Sequence, residues 1–535
     1  MKFFIPFWPA DRIYEYFNPE TERRGGKRLY LWEAFKQPPI DGVLVSRVNL
    51  ENNKELKQFA ERYGIHKLLR FDGPIMGDCG AFSYVKEPKP PYDPIDTLRY
   101  YHRLGFNIGV TVDHLIVPQT EEHKEERWDI TIECAKKMYD EWQKSRYYER
   151  MILLGAVQGW NPASYRDAVK ELVEYGFKYI GLGGLARSPT PMITKILREV
   201  GTFLKKFKRK NKAKIDIHLF GVAREALFPI MIKAGVVSFD SATFLRRAWI
   251  AAKNNYLLGD TAYTAIRIPV ARSAKKSLME RKTLDAVKEF QEGKISVDQF
   301  ITILKEYTPD KVRAFYKEYE RTLRERPWEK CDCEMCKELG IHICIFRRGE
   351  RNMRRGFHNV YQFYKKLRAK IPRILAFTMC SAKKNSCIDP IPAYKRYEPS
   401  PLFRNFWSHV YDLPIDIGIL SAKYGLVYWY EYIPPYDHKM TEADIHRICE
   451  DLKKKLRSYD KIFFIGLGLY RRVVEIVKQE TGLDIEIFPK KELCLRKKLD
   501  IIEYFRQMTI LRNAIKKALT LSCNNKEGLL SAFTK

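Results

Sequence analysis

Eight short apolar runs, separated by longer segments of helical pattern, fill the first 250 or so residues and constrain the fold more than any other feature. The runs are "KFFIPFW", "DGVLVS", "PIMGDCG", "NIGVTVD", "MILLGAV", "KYIGLGG", "IDIHLFG" and "VVSFDSA". They read as buried strands. The segments between them, such as "SYRDAVKELVEYG", carry apolar residues at helical spacing and stop at a glycine. This alternation implies an α/β fold, a (β/α)8 TIM-type barrel, in which catalytic groups sit at the C-terminal ends of the strands.

The endings of the runs then acquire a meaning. Asp78, Asp113, Gln158, Gly183 with Gly184, and Asp240 all fall where an apolar run stops. One such aspartate is ordinarily a helix cap or turn residue, and Asp240 could also pair with Arg246 or Arg247. Three acids and an amide at corresponding strand ends point instead to a site at one barrel mouth.

Residues 260–330 are mostly helical and strongly charged, and "CDCEMC" follows. Cys331, Cys333 and Cys336 form a C-x-C-x2-C cluster, with His358 22 residues beyond the last of them. Three thiolates and one imidazole make a closed tetrahedral set for Zn2+ with no position left for a catalytic water, so the metal is expected to be structural. His342 and Cys344 compete for the fourth place. The basic segment beside the cluster, with Arg347, Arg348, Arg351, Arg354 and Arg355, is the candidate for nucleic-acid phosphate contacts, against the reading of a solvated face.

After Pro372 the pattern restarts with "RILAFTMC", "DIGILSAKYGLV" and "KIFFIGLGLY". At 535 residues the chain is too long for one core. The expected organisation is a barrel with a helical insertion over 1–325, an inserted zinc-binding subdomain and helix over 326–371, and a C-terminal α/β domain with a basic helical tail over 372–535. The 96 Lys and Arg against 66 Asp and Glu give a net charge of +30, which suggests a polyanionic partner, nucleic acid first. The N-terminus lacks the pattern of a signal peptide, and no run approaches the roughly 20 apolar residues of a membrane helix, so a cytoplasmic protein without a membrane partner is expected. Eleven cysteines with one tight cluster fit a metal site in a reducing compartment better than a disulfide framework.

The motifs "GDCGAF", "LLGAVQGW", "IGLGGLA", "HLFGVA" and "VVSFDSA", in that order and followed by the cysteine cluster and "HN", resemble the tRNA-guanine transglycosylases over about residues 40–370. The first motif reads "GDCGAF" where the tRNA enzymes carry "DSGGFQ", and "SATFLRR" follows Asp240 where they usually carry "C-x-x-P-T-R". The chain therefore looks most like the DpdA-type branch, which exchanges guanine in DNA for a 7-deazaguanine. That resemblance implies Asp240 as the nucleophile that forms a covalent glycosyl-enzyme, and Asp78 as the general acid and base. Asp113 would accept from the donors of the base, Gln158 and the backbone amides at Gly183 and Gly184 would satisfy its O6, and Phe220 would stack on it. The implied base is a preQ0-like 7-deazaguanine, and the implied partners are DNA, or alternatively tRNA. Accessory proteins of a DNA-modification system and a second copy of the chain are further candidates.

In the C-terminal part, "FTMCSAKKN", "SAKYGLV" and "IPPYDHKM" resemble a small domain of unknown function, distantly like the YaaA-type proteins. Ser381, Lys383, Lys384, Ser421, Lys423 and Tyr436 lie in these motifs, and small and cationic groups at strand ends could bind phosphate. The competing functions are a tRNA transglycosylase of the same chemistry, a nucleoside hydrolase, and a non-catalytic nucleic-acid-binding protein with a degenerate barrel.

Overall fold

The computed structural model describes residues 1–271, 273–308, 314–491, 493, 495 and 497–521. The eight apolar runs form eight strands: β1 (Lys2–Pro6), β2 (Gly42–Ser46), β3 (Ile75–Asp78), β4 (Ile108–Val110), β5 (Ile152–Val157), β6 (Tyr179–Leu182), β7 (Asp216–Leu219) and β8 (Val236–Asp240). All pair in parallel with their sequence neighbours, and β1 also pairs with β8, which closes the barrel. Successive side chains on a strand point to opposite faces, so one set fills the barrel and the other meets the helices. Phe4, Leu44, Met76, Val110 and Leu154 belong to the interior cluster, whereas Phe3, Ile5, Val43, Val45 and Ile75 belong to the outer core with the helices.

The helical pattern between runs behaves as its residues dictate. Asn161 caps the helix Pro162–Tyr175 by accepting from the Ser164 amide, proline occupies its first turn, and Gly176 ends it. Gly77 on β3 is required by a close approach: a Cβ there would lie 2.6 Å from the ring of Tyr101.

A second sheet begins after the barrel. Its strands are β9 (Ile374–Met379), β10 (Asp416–Ser421), β11 (Gly425–Tyr428), β12 (Lys461–Ile465) and β13 (Ile485–Phe488), in the order β11-β10-β9-β12-β13. All are parallel except β11, which pairs antiparallel with β10. The helix Lys498–Leu521 packs on this sheet; the last part of the expected tail, 522–535, lies outside the described residues.

The helix Arg348–Lys370 joins the two parts. Phe363 stacks on Phe244 at 3.9 Å and meets Phe3 of β1 edge-on at 5.1 Å. One turn further, Arg368 reaches the buried carboxylate of Asp41, which also accepts from the Phe3 amide (2.7 Å), the Tyr364 hydroxyl (2.9 Å) and Arg373 (3.2 Å). Burial opposes the charge on Asp41, but the two guanidinium groups and these hydrogen bonds outweigh it and hold the carboxyl below the usual carboxylate range. Lys2 of β1 pairs with Asp416 of β10 at 2.9 Å, and Trp407 donates to the Lys212 carbonyl, so the C-terminal sheet is anchored to the N-terminal end of the barrel strands. Among the described residues no helix is long and apolar enough to cross a membrane.

The structure corrects the reading of the basic segment as a phosphate-binding surface. Arg347, Arg351, Arg354 and Arg355 are buried, and only Arg348 is exposed. Arg347 and Arg351 bond Glu22 at 2.9 and 2.6 Å, Arg354 pairs with Glu338, and Arg355 donates to the carbonyls of Ala248 and Ile343. Even Arg348 pairs with Glu22, at 2.8 Å. The reason is helical: positions 347, 351, 354 and 355 fall on one face, and that face is turned inward against the hairpin formed by Ile13–Phe17 and Arg24–Leu29 and against the cysteine module. Removing one partner of a buried charge pair strands the other. Arg351→Ala is therefore expected to cost about 3–5 kcal/mol in urea unfolding. Arg348→Ala, at a half-exposed ion pair, should cost about 1 kcal/mol or less.

Candidate active site and metal centre

The barrel brings the predicted strand-end residues to one rim. Asp78 ends β3, Asp113 follows β4, Gln158 follows β5, Gly183 and Gly184 follow β6, Phe220 follows β7 and Asp240 ends β8. The two principal acids sit in different surroundings. Asp240 is buried, and its Oδ1 accepts from the Gly221 amide at 3.0 Å and faces His218 Nε2 at 3.2 Å. Among the described residues nothing donates to its Oδ2. Arg246 pairs with Asp11 and Arg247 with the Asn254 carbonyl, so neither takes Asp240 in an ion pair.

Asp78 accepts from the Ser46 hydroxyl at 2.9 Å and from the Gly80 amide at 2.6 Å. Gly80 adopts φ +84, the left-handed conformation that lets its amide turn back on the carboxylate. Burial pushes the Asp78 carboxyl up, against these two bonds, and the negative charge of Asp240 adds to the rise.

Asp113 and Gln158 form a pair. Gln158 Nε2 donates to Asp113 Oδ2 at 2.6 Å, which leaves Gln158 Oε1 buried without a partner. An orphaned buried acceptor calls for a donor from a ligand. Gln158 thus presents an acceptor to the site, where a donor toward the base carbonyl was expected. The amide of Gly183 is likewise committed, to the Val157 carbonyl at 2.9 Å, which corrects its assignment as a base donor. Gly183 has a packing role: a Cβ there would collide with Gln158 Nε2 at 2.2 Å. Gly184, at φ +74, keeps its amide outside that strand pairing.

Phe220 is half-buried, with its ring 4.4 Å from His218 in an edge-to-face contact. Cys79 is buried and sits between Asp113 Oδ1 (3.3 Å) and the Tyr84 hydroxyl (2.8 Å), so it orients Asp113 from behind.

Sequence reasoning missed His218. Its Nδ1 meets Ser238 Oγ at 2.7 Å, and Ser238 in turn bonds the Tyr179 hydroxyl, so a polar line runs from β6 through β8 and β7 to Asp240. The available signal was a histidine two positions before Phe220 in an apolar strand, hence on the same inward face.

The four ligand atoms of Cys331, Cys333, Cys336 and His358 all lie within 4.8 Å of one another, and all four residues are buried. His358 Nδ1 faces the three sulfurs at 3.6, 3.4 and 3.2 Å, while its Nε2 donates to the Leu257 carbonyl at 2.6 Å. That bond leaves the Nδ1 lone pair directed at the sulfurs, as a metal ligand needs. Gln362 donates to Cys331 Sγ at 3.1 Å, and the Cys336 amide to Cys333 Sγ at 3.4 Å. Donors aimed at sulfur favour thiolates, so the residues fit a bound metal ion. His342 and Cys344 lie outside this set.

Burial, followed by the nearby Asp78, raises the Asp113 carboxyl to about 6. A carboxyl raised in the folded state weakens the fold once the unfolded chain ionises near pH 4, and the full cost is present above about pH 6. Asp113→Asn is therefore expected to stabilise the protein by roughly 2–3 kcal/mol at pH 8 and by almost nothing at pH 4. Urea unfolding at the two pH values measures the difference.

The sequence of known proteins agrees with this architecture. The family described as queuine tRNA-ribosyltransferase matches residues 33–370, which contain seven of the barrel strands, the strand-end acids and the cysteine module. A DNA-guanine transglycosylase of Salmonella montevideo is 32% identical over 417 residues, 69% of this chain and 96% of that protein. A tRNA-guanine(15) transglycosylase of Methanocaldococcus jannaschii is 26% identical over 219 residues, 41% of this chain and 32% of that protein. One of Pyrococcus abyssi is 26% identical over 224 residues, 41% and 35% of the two chains. The chain thus spans about a third of these archaeal proteins. With a closed parallel barrel, paired acids at its rim and a Cys3His module inside the matched region, the chain belongs to the queuine tRNA-ribosyltransferase family and is a guanine transglycosylase.

Proposed function

We propose that the protein replaces guanine in DNA with a 7-deazaguanine, through a covalent intermediate on Asp240. The observation that carries this reading is the pair of rim carboxylates with opposed surroundings. Asp240 is oriented through one oxygen by Gly221 and His218, which leaves the other for attack, while Asp78 is pushed toward the protonated form. A buried carboxyl raised toward its protonated form can give a proton, and a second carboxyl with one oxygen left free of donors can attack, which divides the two into acid and nucleophile.

In the proposed exchange, Asp240 Oδ2 attacks C1′ of the target nucleotide. The bond from C1′ to N9 breaks, its electron pair leaves with guanine, and Asp78 supplies the proton. The incoming base gives its N9 proton to Asp78, and N9 forms the new bond to C1′ as the Asp240 ester breaks. The backbone stays whole. His218 and Gly221 hold the nucleophile in place throughout. Asp113 and the free Gln158 Oε1 accept from the ring N–H and the exocyclic amine shared by guanine and its 7-deaza relatives, and the Gly184 amide is the donor left for the ring carbonyl. A base in duplex DNA must leave the stack to reach this rim, at a cost of a few kcal/mol. DNA as substrate rests on the Salmonella relative, which is matched over nearly its whole length.

We assign Zn2+ to the Cys3His module. With bonds of about 2.3 Å to sulfur and 2.0–2.1 Å to nitrogen, a tetrahedral zinc would set its ligand nitrogen and sulfurs roughly 3.6 Å apart, near the separations seen here. Four protein ligands leave no position for water, so the ion would stabilise the helix Arg348–Lys370 and take no part in the exchange.

Two measurements test these assignments. The first follows labelled guanine or a 7-deazaguanine into duplex DNA and, separately, bulk tRNA. Label is expected in DNA, and Asp240→Ala should lower its entry by about a thousandfold or more. Label entering tRNA alone would overturn the DNA assignment, and full activity of the variant would remove Asp240 as nucleophile. The second is elemental analysis: one zinc per chain is expected, and Cys333→Ala should lose both the metal and several degrees of melting temperature. A metal-free wild type with unchanged melting would refute the zinc assignment.

A further inference from the structure

The C-terminal sheet carries a second cluster of functional groups that the base-exchange reading does not use. The chain leaves β9 toward β10 on one side and later crosses to β12 on the other, so the order reverses between β9 and β12. In open α/β sheets the loops part at such a reversal and leave a crevice at the C-terminal strand ends. Cys380, just after β9, meets the hydroxyl of Tyr470, in the helix that follows β12, at 2.9 Å across it.

Beside the crevice, Ser421 at the end of β10 accepts from the amides of Lys423 and Tyr424 and donates to the Tyr436 hydroxyl at 2.9 Å. Tyr436 also bonds the hydroxyl of the buried Tyr397, so its ring is held in place from two sides. Two ammonium groups converge on that ring: Lys384 Nζ lies 4.5 Å and Lys423 Nζ 5.9 Å from its centroid. Among the described residues neither lysine pairs with a carboxylate, and Asp444 in the same region is taken by His438 and Arg447. Two like charges held over one ring without a counter-ion repel each other, and an anion between them would remove that repulsion. Tyr424 packs edge-on against Tyr436 at 5.1 Å and adds a second aromatic surface.

We propose that this crevice binds a nucleoside phosphate, with the phosphate between Lys384 and Lys423 and the base against Tyr424 and Tyr436. Cationic side chains supply charge-assisted hydrogen bonds to phosphate oxygens, and tyrosine faces accept any base by stacking. The ligand could come as a free nucleotide or as the phosphorylated end of a DNA strand; the chemistry recognised is the same. The proposal is independent of what the barrel exchanges.

The test is calorimetric titration of the full chain with 5′-AMP, with adenosine, and with a short single-stranded oligo-dA bearing or lacking a 5′-phosphate. Adenine probes avoid the guanine-reading rim of the barrel. The wild type should bind AMP or the phosphorylated strand and bind adenosine much more weakly. Lys384→Ala with Lys423→Ala, the first half-buried and the second exposed, should weaken phosphate binding about tenfold or more while base exchange in the barrel persists. Tighter binding of AMP than of the phosphorylated strand would identify a free nucleotide, and the reverse order a strand end. Failure of both phosphate probes to bind, equal affinity for adenosine, or unchanged binding by the double variant would each overturn the proposal.

Discussion

Everything in this molecule depends on the closure of the barrel by its first strand. β1 sits between β8 and β2, with Phe4 in register with both Asp240 and Gly42. Because all eight strands run the same way, closure gathers every strand end at one rim. An acid that would be an isolated cap in an open sheet becomes a neighbour of acids a hundred residues away. The influence of Asp240 on the protonation of Asp78, across 162 positions of sequence, is the electrostatic result.

The closure is secured from outside by the helix Arg348–Lys370. Its N-cap and first turns hold four buried arginines against Glu22, Glu338 and backbone carbonyls, its middle carries His358 into the cysteine cluster, and its last turn reaches Asp41, the residue just before β2. One element therefore couples the Cys3His module, the closing strand and the start of the C-terminal sheet. Strong positive charge near the cluster is here a structural device. It satisfies carboxylates and carbonyls that burial would otherwise leave unpaired.

At the rim, position and electrostatics are set by different layers. Gly221, Ser46 and the Gly80 amide touch Asp240 and Asp78 directly, whereas Cys79, Ser238 and Tyr179 act one contact further out. The raised pKa of Asp113 is a stability cost carried at the site, paired with the orphaned oxygen of Gln158. Such unsatisfied groups are retained where a ligand completes them.

The sequence by itself determined the strand and helix alternation, the eight-stranded barrel, the three clustered cysteines and the acids at strand ends. Each is written in local periodicity or short spacing, which needs no distant contact to be read. It left open which groups those acids would meet. His218 behind Asp240, the amide of Gly183 spent on Val157, and the unpartnered oxygen of Gln158 follow from the register of neighbouring strands, which no single strand encodes. The arginine run was misread for the same reason. Its spacing of four, three and one marks a single helical face, but only the packed hairpin and cysteine module decided that this face points inward, where each charge had to find a partner.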